Sequence, residues 1–181
     1  MRVVVQRVAG AAVRRVGGAA ANAGPGGETR PTAVPPDRED RPIAAGGTQP
    51  TSERRIGPGL VLLAAFHATD DAATVRWMAD KVLGLRIFPD AEGALNRSVV
   101  DCRGEILVVP NFTVYGDARK GRRPSFTAAA PPEAAGRAFD AFVGALREGP
   151  VRVEAGFFQA PMQVELTNDG PVTLILDRER E

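Results

Sequence analysis

Near the C-terminus two runs with strand periodicity meet at a Gly-Pro pair, and this junction constrains the fold more than any other feature of the chain. Met162, Val164 and Leu166 recur with period two before it, and Val172, Leu174 and Leu176 do so after it. Each flank therefore reads as a half-buried strand. Between them stands Asn168-Asp169-Gly170-Pro171-Val172-Thr173. Asp-Gly signals a tight turn, but the proline cannot donate a ladder hydrogen bond, so the pair marks an edge, a bulge or a special bend. The expectation is a corner between two final strands. On general grounds its peptide bond is trans, since only about 5–6% of X-Pro bonds in folded proteins are cis.

At 181 residues the chain is about one domain long, so residues 1–181 read as a single domain. The longest apolar run is far too short to span a bilayer, so no membrane segment is expected. Met1-Arg2-Val3-Val4-Val5-Gln6-Arg7 has charge among its apolar residues and no small-residue cleavage site. It reads as a first strand, and a cytoplasmic protein is expected. Cys102 and His67 are the sole cysteine and histidine, which leaves no internal disulfide and no Cys/His zinc site. A Ser-His-Asp triad would have to use His67, and no Gly-x-Ser-x-Gly elbow exists. His67 reads as an incidental strand-end residue, and neither a metal nor a cofactor is expected.

Residues 2–8 alternate and open the sheet, and Ala11 to Val16 extend it. From Gly17 to Ser52 the large aliphatic residues are Val34 and Ile43, among six prolines and several glycines. Such a stretch buries too little apolar surface to offset its ordering entropy. It reads as a low-complexity insertion at about 17–52 within a β-hairpin loop, whose flanks, Ala12 to Val16 and Glu53 to Ile56, still pair. Leu60 to Phe66 is a continuous apolar run, as in a strand buried on both faces. Thr69, Asp70 or Asp71 caps a helix with apolar Val75, Met78, Ala79, Val82 and Leu83 at helical spacing, closed by Gly84. Trp77 lies at the edge of that stripe.

Leu85 to Phe88 extends, Pro89 to Gly93 turns, and Ile106 to Val109 is a second buried strand that continues through Pro110-Asn111-Phe112-Thr113-Val114. Pro131-Pro132 opens a second helix, striped by Ala135, Ala138, Phe139, Phe142, Val143 and Leu146 and stopped by Gly149-Pro150. Two helices and six or more strands without regular alternation argue α+β. Net charge is +1, yet Arg119-Lys120-Gly121-Arg122-Arg123 gathers four cations in five residues. Arg14, Arg15, Arg54 and Arg55 add to a basic surface if their segments pair.

Outside the insertion, several stretches together resemble the D-aminoacyl-tRNA deacylase family. They are Val4-Val5-Gln6-Arg7-Val8, Gly57-Pro58-Gly59-Leu60-Val61, Arg86-Ile87-Phe88 with Asp90-Ala91-Glu92-Gly93, Arg119 to Phe126, and Met162-Gln163-Val164 leading to Asn168-Asp169-Gly170-Pro171-Val172-Thr173. The resemblance implies a single domain with a mostly antiparallel, barrel-like sheet and two amphipathic helices. It implies hydrolysis of the ester of D-aminoacyl-tRNA, and of glycine mischarged on alanine tRNA, by a homodimer with its active site at the subunit interface. A Gly-cis-Pro pair, here Gly170-Pro171, would reach into the partner's site opposite Asn111-Phe112-Thr113 and exclude L-residues.

On that reading Asn111, Phe112 and Thr113 form the catalytic segment. Gly170, Pro171, Val172, Thr173, Met162 and Arg7 bind the aminoacyl group, and Arg119, Lys120, Arg122 and Arg123 bind tRNA. No acid–base pair or activated nucleophile is evident. The activated ester needs little beyond positioning and oxyanion stabilisation, which backbone amides near Phe112 and Thr113 can supply. A nucleophilic Thr113 or Thr173 is the rival, though neither has an adjacent base. One departure stands out: Pro110-Asn111 replaces the family's Ser-Gln, removing a hydroxyl and a backbone donor. A related subgroup that hydrolyses L-alanyl-tRNA resembles this Pro-led motif. The alternatives are therefore that relaxed variant and a non-catalytic tRNA-end binder.

Overall fold

The computed structural model describes residues 1–16 and 53–178, so the stretch at 17–52 lies outside the described residues. The first strand, β1 (Arg2–Arg15), is one uninterrupted strand of 14 residues and organises the main sheet. It pairs antiparallel with β2 (Glu53–Ile56), β3 (Gly59–Ala65) and β8 (Met162–Asp177). The hairpin expected across the insertion is present, with Ala12 opposite Arg55 and Arg14 opposite Glu53. On the far side of β3, β6 (Glu105–Pro110) and then β7 (Val153–Ala155) add in parallel. β4 (Phe88–Pro89) and β5 (Leu95–Arg97) form a separate small hairpin around the expected Asp90–Gly93 turn. Gly59 is required where β3 meets β6, since a Cβ there would stand 1.8 Å from the Glu105 carbonyl oxygen.

Helix α1 (Ala72–Leu83) is capped by Asp71, whose carboxylate accepts from the Thr74 amide at 2.8 Å. Helix α2 (Pro132–Arg147) begins with proline at its first position, where the missing N–H costs nothing. Both bury the stripes read from sequence: Val75, Met78, Ala79 and Val82 of α1, and Phe139, Phe142, Val143 and Leu146 of α2. These pack on the sheet face carrying Val3, Val5, Leu60, Leu62, Ile106 and Val108. Phe66 stands edge-on to Phe139 and Phe142, and each fully buried aromatic of this kind contributes roughly 1.5–3 kcal/mol.

The opposite face has its own core. Val61, Leu107 and Val109 pack there with Val8, Ala11, Val13 and Ile56, and with the partly buried Phe157, Met162 and Leu166. Residues from both ends of β1 meet the middle of the sheet, so the sheet curls over itself and is barrel-like. Among the described residues no helix is long and apolar enough to cross a membrane.

Two local expectations are corrected. β6 stops at Pro110, and Phe112–Tyr115 turn as a 3-10 helix instead of continuing the strand. The Asn111 side-chain oxygen accepts from the Thr113 amide at 3.2 Å, a local bond that competes with strand pairing. Nor is there a corner between two final strands: Met162 to Asp177 is one strand that bulges at Gly170-Pro171. Gln6 faces Thr173 while Val8 faces Asn168, so Arg7 stands opposite the four residues 169–172.

Candidate active site

The Gly170-Pro171 peptide bond is cis. Three side chains hold the bulge around it. Asn168 spans its base: its Oδ1 accepts from the Val172 amide at 3.1 Å and its Nδ2 donates to Thr173 Oγ1 at 2.8 Å. Gln6 Nε2 donates to the same hydroxyl at 3.4 Å. From β1, buried Arg7 places Nε 2.9 Å from the Asp169 carboxylate and donates from Nη1 to the Ile87 carbonyl at 2.6 Å. Gly170 has φ +113°, and a Cβ on it would lie 2.9 Å from both Arg7 Nη2 and Val172 Cγ2. Glycine is the residue that fits this conformation and this space.

The second half of the expected site is the turn after β6. Phe112 is 58% exposed, its ring edge-on to Phe126 at 5.3 Å between centroids. Thr113 is tied to Asn111 twice, its amide and its hydroxyl both donating to Asn111 Oδ1, the hydroxyl at 2.5 Å. The Phe112 N–H meets no acceptor among the described residues. Of the two amides expected to serve an oxyanion, that of Phe112 is open and that of Thr113 is occupied.

Within one chain these halves stay apart. The 3-10 turn sits by the start of β1, where Arg2 donates to the Val114 carbonyl and stacks on Tyr115. The bulge faces Arg7, five residues along the strand, or about 17 Å. Among the described residues no hydrogen bond or ring contact joins 111–113 to 168–173. Met162 lies at the far end of β8, opposite Arg15, with its sulfur accepting from the Phe157 amide.

The basic segment forms a loop closed by Asp117 and Ser125, whose amides and carbonyls pair at 2.8 Å. The Arg119 guanidinium grips Asp117 through Nε at 2.9 Å and Nη2 at 2.7 Å and holds its carboxyl down at about 2. Lys120, Arg122 and Arg123 are exposed and have no ion-pair partner among the described residues. Next to this loop a cavity of about 810 Å³ is lined by Arg2, His67, Tyr115, Asp117 and Arg119. His67 Nδ1 lies 2.8 Å from Thr69 Oγ1, a local turn contact. Among the described residues no group of three or more His, Cys, Asp or Glu side chains could hold a metal ion.

Sequence reading passed over Asn168 and Asp169 as individual site residues, although polar residues directly before a Gly-Pro pair are the ones able to brace it. Phe126 entered only as the end of the basic stretch, and its contact with Phe112 is a tertiary one.

Comparison with known proteins agrees with this architecture. A model of the D-Tyr-tRNA(Tyr) deacylase family matches residues 48–177. A D-aminoacyl-tRNA deacylase of Desulfitobacterium hafniense is 56% identical over 126 residues, covering 70% of this chain and 85% of that protein. One of Carboxydothermus hydrogenoformans is 57% identical over 122 residues, covering 67% and 84%. Among solved structures, the c-Myc DNA Unwinding Element Binding Protein superposes with TM-score 0.75 at 31% identity, covering 99% of this chain and all of that one. A probable eukaryotic D-amino acid tRNA deacylase shares the fold, with TM-score 0.67 at 17% identity over 98% of each chain. With its bulged last strand, its basic loop and these likenesses, the chain belongs to the D-Tyr-tRNA(Tyr) deacylase family.

Proposed function

We propose that this protein hydrolyses the ester joining a D-amino acid to the 3′ end of tRNA, releasing free D-amino acid and tRNA, and that glycine mischarged on alanine tRNA is a second substrate. Family membership supports the reaction class, and the relatives named above carry that activity in their names. The single observation behind the mechanism is the open Phe112 amide, in a short turn beside an exposed ring and away from competing acceptors. Water attacks the ester carbonyl, and the charge that develops on the carbonyl oxygen is stabilised by a hydrogen bond donated by this amide. The ribose oxygen then leaves with a proton, a neighbouring ribose hydroxyl serving as relay. Thr113 Oγ1 is engaged with Asn111, and no base stands by it to make it a nucleophile.

The working form is a homodimer in which Gly170-Pro171 of one subunit closes the partner's Asn111–Thr113 segment. Two observations support this. The 3-10 turn meets β1 at Arg2 and the bulge meets it at Arg7, five residues or about 17 Å further along the strand. β8 is also a long edge strand that exposes Val164, Leu174 and Ile175, a surface suited to pairing with another copy. Lys120, Arg122 and Arg123 contact tRNA phosphates, and the work is done in the cytoplasm.

A second reading, a tRNA-end binder without turnover, draws on one feature: Asn111 occupies the Thr113 amide and so halves the expected oxyanion donors. Purified protein incubated with matched D-tyrosyl-, L-tyrosyl-, glycyl- and L-alanyl-tRNA separates the readings. Release from the D and glycyl esters alone is expected. Release from L-alanyl as well would move the protein to the relaxed subgroup, and binding without release from any would leave the binder. Light scattering of the same sample reads the dimer.

A further inference from the structure

Phe126 reaches the candidate active site from the far end of the basic loop. The chain leaves the 3-10 turn at Gly116, whose amide donates to the Thr113 carbonyl at 2.8 Å, and runs out through Arg119 to Arg123. Asp117 and Ser125 close that excursion with their paired amides and carbonyls, so the residue after Ser125 returns beside the turn. The backbone is held on the other side as well. The Phe126 carbonyl accepts from the Ala129 amide at 3.0 Å, and the Ala130 amide donates to the carbonyl of Phe66, just past the end of β3, at 2.8 Å. Half-buried and anchored at both ends, Phe126 is a fixed wall and not a loop tip.

Gly116 makes room for this ring. Its φ of −62° and ψ of 122° are open to any residue, so the dihedrals do not call for glycine. The space does: a Cβ there would stand 2.9 Å from Phe126 Cε1 and 2.9 Å from the Thr113 carbonyl oxygen. The missing side chain lets the Phe126 ring press directly on the turn.

Phe112 has no comparable anchor of its own backbone. The Asn111 amide before it is held by the Ala64 carbonyl at 2.8 Å, and the Thr113 amide after it by the Asn111 side chain at 3.2 Å. Phe112 itself lies in a four-residue 3-10 turn, a geometry with poor internal hydrogen bonds, and its side chain is 58% exposed. What meets its ring is Phe126, at 5.3 Å between centroids and 76° between planes. Edge-to-face contact is directional, so it favours one setting of the Phe112 ring and of the backbone that bears it. A hydrogen-bond donor serves an oxyanion by being aimed before the charge develops, and loss of that aim is read in kcat, not in substrate affinity.

We propose that Phe126 is a positioning residue for the deacylation: its ring fixes Phe112 and so keeps the Phe112 N–H aimed at the developing oxyanion. The inference rests on the hydrolase reading above and adds to it a residue that acts through another, without touching the ester.

The test is steady-state hydrolysis of D-tyrosyl-tRNA by the full-length protein across a double-mutant cycle of Phe112 and Phe126, with circular dichroism and thermal midpoints alongside. Phe126→Ala is expected to lower kcat about three- to tenfold, the worth of one edge-to-face pair, and to leave KM within about twofold. In the Phe112→Ala background the same change should lower kcat by less than about 1.5-fold, because the ring it positions is already gone. A merely structural Phe126 would lower the midpoint and show no such coupling. Equal losses in the two backgrounds, a loss confined to KM, or a kcat within about 1.5-fold of wild type overturns the proposal. Should Phe126→Ala fail to fold, Phe126→Leu, which keeps most of the volume and loses the ring edge, is judged by the same criteria.

Fluorine NMR of protein labelled with 4-fluorophenylalanine separates this proposal from the hydrolase reading, the resonance missing from Phe112→Ala marking Phe112. In Phe126→Leu that resonance is expected to move toward the position of the free amino acid. Such movement in a protein that releases no aminoacyl ester refutes the hydrolase and spares the contact. An unmoved resonance overturns the positioning role, whether or not the ester is released.

Discussion

Arg7 Nε lies 2.9 Å from the Asp169 carboxylate while Arg7 Nη1 donates to the Ile87 carbonyl at 2.6 Å, so one buried guanidinium links the bulge of β8 to the segment entering β4. Arg7 is thus a positioning residue behind Gly170-Pro171. Its planar fork serves two directions at once, which a lysine ammonium on a flexible stem does not reproduce. Arg7→Lys is expected to cost about 1–3 kcal/mol in denaturant unfolding, because the buried Ile87 carbonyl is left unsatisfied. It should also lower kcat with the bulge loosened. Asp169→Asn, at the half-exposed end of the pair, should cost under about 1 kcal/mol. Equal losses in the two variants would mean that the pair, not the buried arginine, sets the bulge.

Gly170→Ala meets both a positive φ and two atoms at 2.9 Å. A loss of about 1–3 kcal/mol is expected, with circular dichroism still native. The D-to-L ratio of ester release should fall along with the rate. An unchanged ratio and rate would remove the Gly-Pro filter from the mechanism.

The oxyanion role of the Phe112 amide can be tested by deleting one N–H. Asn111 has φ −146° and ψ 87°, outside the α region that a following proline disfavours, and Phe112 opens the 3-10 turn. Phe112→Ala keeps the N–H and loses the ring, whereas Phe112→Pro loses both. Turnover of Phe112→Pro is expected to be about 10²–10³ below that of Phe112→Ala. Parity between the two would place the charge stabilisation elsewhere.

Thr113 Oγ1 donates to Asn111 Oδ1 and is not poised beside a base. Thr113→Ala should therefore lower kcat by less than about tenfold. A loss approaching about 10⁴ with the protein folded and dimeric would make the hydroxyl a nucleophile instead.

In the basic loop, Arg119 is committed to Asp117 and the remaining cations are not. Arg122→Ala with Arg123→Ala should flatten the salt dependence of tRNA binding by about 0.7–0.9 for each phosphate that is no longer neutralised, more than Arg119→Ala does. The carboxyl of Asp117 is held down at about 2, chiefly by its hydrogen bond from Arg119. Its pairing is then fully present above the ordinary carboxylate range and is lost as pH falls through about 2. An NMR titration should find that midpoint near 2, rising toward about 3.9 in Arg119→Ala. The loop charge contributed by Asp117 is constant between pH 5 and 8 on this account. A midpoint unmoved by Arg119→Ala would break the link.

Much of the architecture was legible in the chain itself. Apolar period settled α1 and α2, because a helix of this length buries one stripe and the residues on it repeat at a fixed spacing. Uninterrupted apolar runs marked β3 and β6 as strands covered on both faces, and Asp71, Pro132 and the Asp90–Gly93 turn carried local chemistry that needs no distant partner. The Gly-Pro pair announced an irregularity in the last strand by removing a backbone donor. What tertiary structure alone decided lies where a local signal had two outcomes. Whether Pro110-Asn111-Phe112 extends or turns was a contest between continued pairing with β3, where Ala64 still accepts from the Asn111 amide, and the local bond from the Thr113 amide to the Asn111 side chain. Whether Gly170-Pro171 is a corner or a bulge depended on β1 running unbroken beside both flanks, so that Arg7 could face four residues at once. The division of Arg14, Arg15, Arg54 and Arg55 between the two faces, with Arg14 and Arg55 beside Glu53, followed from strand register, which sends alternate side chains to opposite faces and which no property of the arginines themselves encodes.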